Sequence, residues 1–396
     1  MSEQASPSRR IGFYDAFASR DGSGRILRLI VEGLDRSRFE PHVLLAREGP
    51  LLEELREQGC PVEVLAPRGP LGSYGQGLLR AGLLRRLHAA VDLHRYSHRM
   101  AGWLRDQRIE LLHCNQTRAA LQASLAARRA RVPMVWNVLM RERLPRWLVN
   151  MAGQHADRIV GISSDVLDDF PGAPLLRRKW SFVPNGVEVD RFSPEVDGSP
   201  VRREFGLGPG DPMVLSAGVL APRKGHDVLI RAARRILAHF PRARLVIAGG
   251  PPPGGDESCG AELQRLCADQ GVADRVSLVG RREDMPQMLA ACDVFVLASR
   301  AEGSPAGVLE AMSSARPVVV TPPAASAVEE GRVGRIIPLD DAEALAEAVV
   351  ELLADATRAR AMGAAGREHV KAHYSVEAMV RGYEGVYWDL LTGRGG

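Results

Sequence analysis

Lysine is scarce in this sequence. Only three of its 52 basic residues are lysines, Lys179, Lys224 and Lys371, and the other 49 are arginines. The 48 acidic residues leave a net charge of only +4, a balance that argues against nucleic acid as the main partner. One of the three lysines stands in the run Arg223-Lys224-Gly225, which indicates a position that suits a compact, flexible ammonium.

Long apolar segments are also missing. No uninterrupted run approaches the length of a membrane-spanning helix, which is about 20 residues. The first ten residues are polar, include two arginines and lead into no apolar signal-peptide core. These absences predict a cytoplasmic protein, with the inner face of the membrane as the alternative location.

The sequence has few cysteines, and they show no pairing. The five are Cys60, Cys114, Cys259, Cys267 and Cys292, an odd number without metal-type spacing. This pattern predicts neither a disulfide framework nor a structural zinc site. Cys114 and Cys292 stand in or beside strand-like segments, where we expect buried small hydrophobes.

Short apolar runs alternate with helix-like stretches along the chain, and the pattern occurs twice. Strands separated by helices predict parallel sheets with right-handed crossovers. A chain of 396 residues suits two domains with separate cores. The sequence therefore predicts an α/β protein of two tandem Rossmann-like, doubly wound domains, with ligand sites outside the carboxyl ends of the strands. The predicted strands are Arg10–Asp15, His42–Ala46, Val62–Ala66, Glu110–Asn115, Pro133–Val138, Arg158–Ser163, Met213–Gly218, Arg244–Ala248, Val276–Gly280, Val294–Ser299, Pro317–Thr321 and Arg335–Leu339.

The most informative motif is EGSPAGVLEAM, which begins at Glu302 directly after a predicted strand. Ser304 is placed to cap a helix whose first position is Pro305, and Gly303 lets a ligand approach the backbone closely. Unpaired amides and the helix dipole at such a start attract an anion. Glu302 and Glu310 can accept hydrogen bonds from hydroxyls on either side. The motif therefore predicts a site for a phosphate-linked sugar.

This motif resembles the donor-binding motif of retaining glycosyltransferases of the GT-B fold, and it is most similar to glycosyltransferase family 4, also called glycosyl transferases group 1. The resemblance is strong from about residue 155 to 375. It implies two Rossmann-like domains that face each other across a cleft. It also implies transfer of a hexose from a nucleotide-diphosphate sugar, expected to be a UDP-sugar, to an acceptor hydroxyl with retention of configuration. Other matching segments, in the family's order, are Val183–Val187, Asp190–Phe192, Arg223–Asp227 and Val246–Gly250.

The resemblance also implies a domain organisation. Residues 1–9 form a tail that we expect to be disordered, and residues 10–183 form an N-terminal acceptor-binding domain. Residues 184–374 form the nucleotide-sugar-binding domain. Residues 375–396 contain a helix expected to cross back to the N-terminal domain, the alternative being a helix packed on its own domain. Proline and glycine between residues 184 and 194 mark the boundary in the sequence.

Within the second domain, the resemblance implies that Glu310 binds the ribose and that Glu302 meets hydroxyls of the donor sugar. Arg223 and Lys224 are expected to neutralise the diphosphate leaving group. Arg281 stands on the loop expected to meet the nucleobase. The segment Gly303, Ser304, Pro305, Ala306, Gly307 and Val308 is expected to face the donor, with the amides of Ala306, Gly307 and Val308 as donors because proline has no N–H.

In the first domain, Gly22 and Gly24 open a helix after the first strand. The resemblance makes this loop the one that approaches donor phosphate or acceptor, whereas a plain tight turn explains the glycines equally well. Asn137 stands where many relatives carry a histidine near the reacting sugar carbon. Asparagine cannot hold a positive charge, so we expect a positioning role. His113 is expected to be structural or acceptor-side.

Two further departures from the family keep an alternative open. Val219 replaces an arginine that many relatives carry, and residues 322–326 replace a glycine pair and an acidic residue. The alternatives to a transferase are a catalytically silent sugar-nucleotide-binding subunit and a phosphorylase or epimerase of the same fold. No Asp-x-Asp arrangement marks a magnesium site, so we expect no metal and no other cofactor.

The segment Gln76–Arg108 is basic and amphipathic, with seven arginines, two aspartates and Leu79, Leu83, Leu87 and Val91 at four-residue spacing. One interpretation is a long surface helix packed by its leucines. The other is a helix that lies on an anionic membrane and serves a lipid-linked acceptor. A small-molecule glycoside is the alternative acceptor.

Overall fold

The computed structural model describes residues 8–20, 22–69, 82–139, 145–163, 166, 173–252, 257–303 and 305–393. The chain divides into two compact units. Unit 1 contains Met1–Gly186 and Met379–Gly396, and unit 2 is Val187–Ala378. These divisions lie three and four residues beyond the predicted ends of the N-terminal domain at 183 and of the second domain at 374.

Unit 1 is built on a parallel sheet whose described strands have the order β3-β2-β1-β4-β5-β6-β7. Phe13 and Val43 are register partners in the central β1–β2 pair, and both are fully buried. Burial on both faces is why these strands are nearly continuous apolar runs. The strands are β1 Arg9–Asp15, β2 Phe39–Leu45, β3 Val62–Val64, β4 Leu111–Asn115, β5 Met134–Val138, β6 Arg158–Gly161 and β7 Trp180–Phe182.

The helices of unit 1 cover both faces of this sheet, as right-handed crossovers between parallel strands require. Alanines of the helix that follows β4, such as Ala119 and Ala123, are fully buried and join the main core beside Trp136. The helices are α1 Ser23–Gly33, α2 Pro50–Glu57, α3 Leu83–Asp106, α4 Thr117–Ala130, α5 Arg146–His155 and α6 Ala173–Leu176.

Unit 2 is also built on a parallel sheet. Its described strands, β8 to β13, lie in the order β10-β9-β8-β11-β12-β13. Neighbouring residues of β9 point to opposite faces: Leu245 and Ile247 join one core, and Val246 and Ala248 join the other. The strands are β8 Met213–Ala217, β9 Arg244–Ala248, β10 Val276–Leu278, β11 Val294–Leu297, β12 Val318–Val320 and β13 Gly334–Ile336.

The helices of unit 2 lie on both faces of its sheet, and the last helix of the chain leads back to unit 1. That helix, α14 Val376–Thr392, begins in unit 2 and belongs to unit 1 from Met379 onward. The others are α7 Ser199–Glu204, α8 His226–His239, α9 Ser258–Asp269, α10 Met285–Ala291, α11 Ala306–Ser313, α12 Ala342–Ala354 and α13 Ala356–His373.

The predicted α/β class with two Rossmann-like domains is confirmed. Each predicted strand is present with ends shifted by up to a few residues, as is usual for element boundaries. The prediction missed β7, an edge strand of only three residues. Its residues directly precede the predicted domain boundary, and three residues are too few to identify a strand from an alternating pattern. Cys114 and Cys292 are fully buried, as predicted, and none of the five cysteines, all of which lie in the described part of the chain, forms a disulfide.

The basic segment Gln76–Arg108 contains α3, and its residues 76–81, with Leu79, lie outside the described part of the chain. The face of α3 that packs is formed by Tyr96, Met100 and Leu104, which are buried at four-residue spacing. Leu87 and Val91 are 54% and 47% exposed, whereas Leu93 and Leu104 pack against the core, so the helix is packed by leucines outside the predicted four-residue series. Within the described residues, every helix is too short or too polar to span a membrane.

Candidate functional site

The strand order of unit 2 reverses between β8 and β11, and such a reversal opens a crevice outside the carboxyl ends of the two strands. The segments that follow these strands carry two of the predicted site residues. Lys224 ends a 3-10 turn after β8, and Glu302 follows β11. Lys224 Nζ donates to Glu302 Oε1 over 2.6 Å, so the fold brings both side chains to the switch point of the sheet.

This ion pair is mostly withdrawn from water. The side chains of Lys224 and Glu302 are 13% and 4% exposed. Ser299 Oγ donates to the same Glu302 Oε1 over 2.6 Å, and Thr321 Oγ1 donates to the carbonyl of Ser299 over 2.5 Å. The sequence placed Lys224 on phosphate and Glu302 on sugar, and it missed Ser299. The available signal was a hydroxyl residue three positions before Glu302, directly after a strand.

Two glycines let the Lys224 side chain reach this position. Gly225 has φ 66°, in the left-handed region, and an added Cβ would lie 1.9 Å from the carbonyl oxygen of Ala298. Gly218 leaves room for the lysine stem, because an added Cβ would lie 3.3 Å from Lys224 Cδ. Residues with a side chain at these places would displace the turn.

Arg300 holds the turn that carries Lys224. Its backbone N–H donates to the carbonyl of Arg223 over 2.8 Å, and its Nη1 donates to the carbonyl of Pro222 over 2.5 Å. The guanidinium also binds Asp227 with Nη2 to Oδ2 at 2.8 Å. Arg223 itself is exposed at the surface of unit 2. Arg300 was not predicted, and its role depends on contacts between segments far apart in sequence.

The first residue of α8 lies beneath the site. His226 is buried, and its Nδ1 is 3.2 Å from Ser216 Oγ. Burial lowers the pKa of His226 to about 4, against the opposing effect of nearby backbone groups of Val219 and Gly218. The imidazole is therefore neutral at physiological pH and supplies hydrogen bonding and packing without a charge.

The helix of the EGSP motif, α11, begins at Ala306 with Pro305 at the capping position, one residue later than predicted. Ser304, the predicted cap, lies outside the described residues. The amide of Val308 donates to the carbonyl of Pro305 over 2.9 Å, and its predicted contact with the donor stays a prediction. This bond tightens the first turn. The amides of Ala306 and Gly307 are the other candidates.

Close packing brings the start of α11 to the carboxyl edge of the sheet. An added Cβ on Gly307 would lie 3.3 Å from Phe295 Cζ of β11. Gly303 has open space around its Cα, which leaves the preceding loop accessible. Glu310 lies one turn further along the helix and is partly exposed. The structure thus gathers Glu302, the helix start and Glu310 around one edge of unit 2.

Arg281 and Arg282 follow β10 and differ in their surroundings. Arg281 is exposed, and its predicted contact with the nucleobase stays a prediction. Arg282 is held by two carboxylates: its Nη1 binds Glu204 Oε1 at 2.7 Å, and its Nη2 binds Asp284 Oδ2 at 2.7 Å. Arg282 therefore fixes the loop from which Arg281 projects.

Unit 1 has its own switch point, between β1 and β4, and a polar pair occupies it. Asn115 Nδ2 donates to Asp15 Oδ2 over 2.7 Å, and both residues are fully buried. Asp15 Oδ1 accepts from the amides of Phe17 and Ala18, each over 2.7 Å. Burial raises the pKa of Asp15, while these amides and Asn115 oppose the shift. The pair fixes the loop after β1.

That loop contains the two predicted glycines. Gly22 caps α1 with φ 57°, and space around it is open. Gly24 is required by packing, because an added Cβ would lie 1.7 Å from the carbonyl oxygen of Ser19. The structure therefore explains Gly24 as a tight-turn residue. Its predicted contact with donor or acceptor stays a prediction, as does that of Gly22.

Asn137 and His113 lie under the terminal helix. Tyr383 donates its hydroxyl to Asn137 Oδ1 over 3.0 Å, and the Tyr387 hydroxyl is 2.8 Å from His113 Nδ1. All four side chains are buried, and burial lowers the pKa of His113 to about 3. The structural role predicted for His113 accords with this contact. For Asn137, the tyrosine occupies the amide oxygen, and the predicted role at the sugar stays untested.

No group of three or more histidine, cysteine, aspartate or glutamate side chains within the described residues is arranged to hold a metal ion. Cationic side chains of the described residues at or beside the Glu302 loop include Lys224, Arg223 and Arg300. An ammonium, a guanidinium and a helix start together can neutralise an anion of the size of a diphosphate.

Comparison with known families covers both units. The model of glycosyltransferase family 4 matches residues 20–191, and the model of glycosyl transferases group 1 matches residues 211–355. The first match lies in unit 1 apart from its last five residues, and the second lies entirely in unit 2. The second match includes the whole Lys224–Glu302 site.

Curated relatives agree with these matches. A Corynebacterium glutamicum protein named GDP-mannose-dependent monoacylated alpha-(1-6)-phosphatidylinositol monomannoside mannosyltransferase is 35% identical over 253 residues, which is 59% of this chain and 64% of the relative. The match therefore spans less than two thirds of that relative. A Nocardia farcinica protein named D-inositol 3-phosphate glycosyltransferase is 30% identical over 330 residues, covering 79% of this chain and 70% of the relative.

Solved structures share the fold. The Anabaena protein HepE in complex with UDP aligns with a TM-score of 0.78 at 21% identity, covering 96% of this chain and all of that one. At this identity the likeness concerns the fold alone. The fold, the two family models and the Nocardia relative agree with each other, and the chain belongs to glycosyltransferase family 4, the glycosyl transferases group 1, with the GT-B type of α/β fold.

Proposed function

We propose that this protein is a retaining hexosyltransferase that transfers a hexose from a nucleotide-diphosphate sugar to an acceptor hydroxyl without a metal ion. The observation that carries the proposal is the Lys224–Glu302 pair at the switch point of unit 2. One cation and one hydroxyl-binding carboxylate stand beside the start of α11. These are the groups that a diphosphate linked to a sugar needs.

The Lys224–Glu302 pair has hydrogen-bonding groups that its described contacts do not use and that can therefore bind a ligand. An ammonium carries three N–H donors, and the described contacts of Lys224 use one of them, on Glu302. The remaining donors can bind a phosphate oxygen while the pair stays formed. Glu302 accepts from Lys224 and Ser299 through Oε1, which leaves Oε2 for a sugar hydroxyl. Lys224 would thus bind phosphate and Glu302 would orient the sugar.

The proposed reaction is a front-face displacement. The bond between the anomeric carbon and the diphosphate oxygen breaks, and the acceptor oxygen bonds to that carbon from the same face. The departing diphosphate accepts the proton of the acceptor hydroxyl, so no separate base is required. Lys224, Arg223 and the amides of Ala306 and Gly307 stabilise the developing negative charge, which is worth most where water is excluded.

Among donors, GDP-mannose is the first to test, because the Corynebacterium relative is named for it. UDP-sugars are the second, since HepE was solved with UDP. The names of the relatives also favour an acceptor that contains an inositol or inositol-mannoside hydroxyl. The acceptor proposed for this chain is therefore a glycoside of that class, free or lipid-linked.

A direct test measures thermal shifts with GDP, UDP, ADP and dTDP, because a ligand bound only by the folded state raises apparent stability. The matching nucleotide sugar is then incubated with and without acceptor, with EDTA or with Mg²⁺, and nucleotide release is followed. We expect acceptor-dependent release that EDTA leaves unchanged and a product with the donor's anomeric configuration. Release that requires Mg²⁺, or an inverted product, would contradict the corresponding part of the proposal.

A silent nucleotide-sugar-binding subunit is the second candidate, favoured by the engagement of Asn137 with Tyr383. It predicts a clear thermal shift with one nucleotide and no turnover on any acceptor. Replacement of Lys224 separates the two candidates further. In a transferase Lys224→Ala lowers kcat, with about tenfold for each 1.4 kcal/mol of lost transition-state stabilisation. Lys371→Ala, at an exposed lysine, is the matched control.

A further inference from the structure

Unit 2 has a groove between α8 and α9 that none of the predicted site residues lines. Its volume is about 450 Å³. This volume lies within the range of pockets that hold small molecules, which is about 300–1,000 Å³. The lining comes from the first half of α8, from α9, from the turn before α8 and from Arg300. We call this feature the α8–α9 groove.

Ionisable side chains of both signs line the groove, and one pair of them is already engaged. Arg300 binds Asp227 through two parallel bonds, Nη1 to Oδ1 at 3.0 Å and Nη2 to Oδ2 at 2.8 Å. This bidentate arrangement is the strongest that a guanidinium and a carboxylate can form. The two side chains neutralise each other, so together they add no net charge to the groove.

Four further charged side chains of the groove are exposed and have bonding capacity left. Arg231, on α8, has one described ion pair, a contact of 3.8 Å between its Nη2 and Asp227 Oδ2. The other three are Glu262, Arg265 and Asp269 on α9, and the described part of the chain contains no side-chain hydrogen bond or ion pair for them. Two guanidiniums and two carboxylates of the groove are therefore available to a bound molecule.

Apolar groups complete the lining of the groove. Leu263 is buried and Leu266 is partly buried on α9, and Ala221 and Pro222 belong to the segment before α8. A bound molecule can place a hydrocarbon group on this lining while its charged groups meet the arginines and carboxylates. Small-molecule sites commonly combine an apolar lining with a few polar groups that fix orientation.

The balance of charge indicates the class of ligand. A dianion such as phosphate would be attracted by Arg231 and Arg265 but repelled by Glu262 and Asp269, and a plain amine would meet the reverse. A molecule with one carboxylate and one ammonium satisfies both kinds of side chain, because guanidinium donates to carboxylate and ammonium donates to carboxylate. With an apolar group attached, this is an amino acid or a dipeptide.

The groove shares part of its wall with the turn that carries Lys224. Pro222 lines the groove and begins that turn, and its carbonyl accepts from Arg300. The backbone N–H of Arg300 also donates to the carbonyl of Arg223. A molecule in the groove therefore contacts the residues that hold the turn, and these contacts oppose its motion. A turn that is already ordered costs less to order for a second ligand.

We propose that the α8–α9 groove binds a zwitterionic amino acid or dipeptide with apolar side chains, and that this binding stabilises the Lys224 turn. The ligand's carboxylate meets Arg231 and Arg265, and its ammonium meets Glu262 and Asp269. The groove is thus a regulatory site. Its effect on nucleotide binding rests on the function proposed above, whereas binding in the groove and ordering of the turn do not.

The first test is isothermal titration calorimetry of the full chain, without nucleotide, with leucine and with leucyl-leucine. We expect both to bind. N-acetyl-leucyl-leucine lacks the ammonium and leucyl-leucinamide lacks the carboxylate, and each should bind at least about tenfold more weakly than leucyl-leucine, because two groove side chains lose their partner. Absence of binding by both leucine and leucyl-leucine would overturn the proposal, as would tighter binding of inorganic phosphate.

Variants of exposed residues assign the binding to the groove. Arg265→Ala and Glu262→Gln should each weaken leucyl-leucine binding about tenfold or more. Arg234→Ala changes an exposed arginine of α8 that does not line the groove, and it should leave the affinity unchanged. Equal affinity in Arg265→Ala and Arg234→Ala would show that the dipeptide binds elsewhere, and the proposal would then be wrong.

Hydrogen exchange of peptides that cover residues 220–228 tests the effect on the Lys224 turn. We expect slower exchange with leucyl-leucine in the unaltered protein and no slowing in Arg265→Ala. Unchanged exchange in the unaltered protein, with the dipeptide bound, would contradict the stabilisation of the turn.

Titration with GDP and with UDP, with and without leucyl-leucine, measures the coupling to the nucleotide. The apparent Kd of the nucleotide that binds should fall about fivefold or more when the groove is filled. A bound nucleotide whose Kd does not change would contradict the regulatory role. If the dipeptide binds and slows exchange but neither nucleotide binds, the function proposed above fails while the groove site stands.

Discussion

Both units are built on a doubly wound parallel sheet, but different kinds of residues lie at their switch points. In unit 1, Asp15 and Asn115 meet at the switch point, and every side-chain bond described for the aspartate goes to its own loop or to Asn115 and Gln116. In unit 2, Lys224 and Glu302 meet at the equivalent position, and they bring full opposite charges. The carboxylate of the first pair holds a loop of its own unit, whereas the described contacts of the second pair leave N–H donors of Lys224 and Oε2 of Glu302 unused.

This difference follows from what each pair costs to bury. The Asp15 carboxylate takes its hydrogen bonds from backbone amides and from Asn115, whose own Oδ1 is buried without a described partner. A buried ion pair must compensate the desolvation of two charges, and replacing it with apolar residues is often neutral or favourable. We therefore propose that the charges of the Lys224–Glu302 pair serve ligand binding rather than stability. The comparison favours unit 2 as the unit that handles a charged ligand.

The largest effect is expected when a substitution breaks the Lys224–Glu302 ion pair of unit 2. Lys224→Ala leaves the Glu302 carboxylate, only 4% exposed, without its cation, and we expect a loss of about 3–5 kcal/mol in the unfolding free energy of unit 2. Hydrogen exchange of peptides from α8 and α11 measures this loss. The double variant Lys224→Ala/Glu302→Gln should regain most of the stability and none of the activity. If the double variant is as unstable as the single one, the pair is not the cause.

A smaller effect is expected at Gly225, the residue after Lys224, where a substitution tests whether steric crowding requires a glycine. Gly225→Ala forces a methyl group against the carbonyl of Ala298 at φ 66°, and we expect a loss of about 2–4 kcal/mol from strain and overpacking together. Gly206→Ala is the matched control, since Gly206 has φ 64° with open space around it. It should lose only about 1 kcal/mol. Chemical denaturation of both variants compares the two, and equal losses would remove crowding as the explanation.

The smallest effect on stability is expected from two buried histidines, one in each unit. The pKa of His113 is lowered to about 3 and that of His226 to about 4, both by burial. The unfolded chain binds protons near pH 6.5, whereas the folded chain does not, so stability is full above that pH and falls as the pH drops toward 4. Each histidine contributes at most about 1.4 kcal/mol per pH unit.

Replacing one histidine assigns this pH dependence to a unit. His113→Gln keeps a polar group for Tyr387 but removes the titration, so the pH slope of the unfolding free energy in unit 1 should decrease between pH 6 and 4, a window set by the ordinary and lowered pKa values. Denaturation curves at several pH values measure the slope. An unchanged slope in the variant would show that His113 does not titrate on unfolding.

Much of the second unit could be predicted from sequence because its signals are local. Strand β11, the glycine turn and the helix of the EGSP motif follow each other within twenty residues, Val294 to Ser313. Lys224 stood out because lysine is rare in this chain. What escaped was the contact between Lys224 and Glu302, which are 78 residues apart, and the supporting bonds of Ser299 and Arg300. A residue pattern does not predict such contacts, because the distance between two loops that are far apart in sequence depends on how the whole sheet is assembled.

The first unit was less predictable for the same reason. Asn137 and His113 are polar residues within apolar strands, and the sequence marks them as unusual without naming their partners. Their partners, Tyr383 and Tyr387, come from a helix about 250 and 270 residues later. Leu87 and Val91 have the regular spacing of a packed face, yet they are exposed. Helix α3 packs through Tyr96, Met100 and Leu104 instead.

The sequence by itself determined the alternation of strands and helices, the duplication of that pattern and the motif at the start of α11, since each depends on residues close together in the chain. Tertiary structure alone decided that Lys224 and Glu302 form a salt bridge, that Tyr383 and Tyr387 cover polar groups of the first sheet, and which apolar residues stay in water. The physical reason is that periodicity fixes which residues can form an element, whereas the packing of elements against each other fixes which side chains meet.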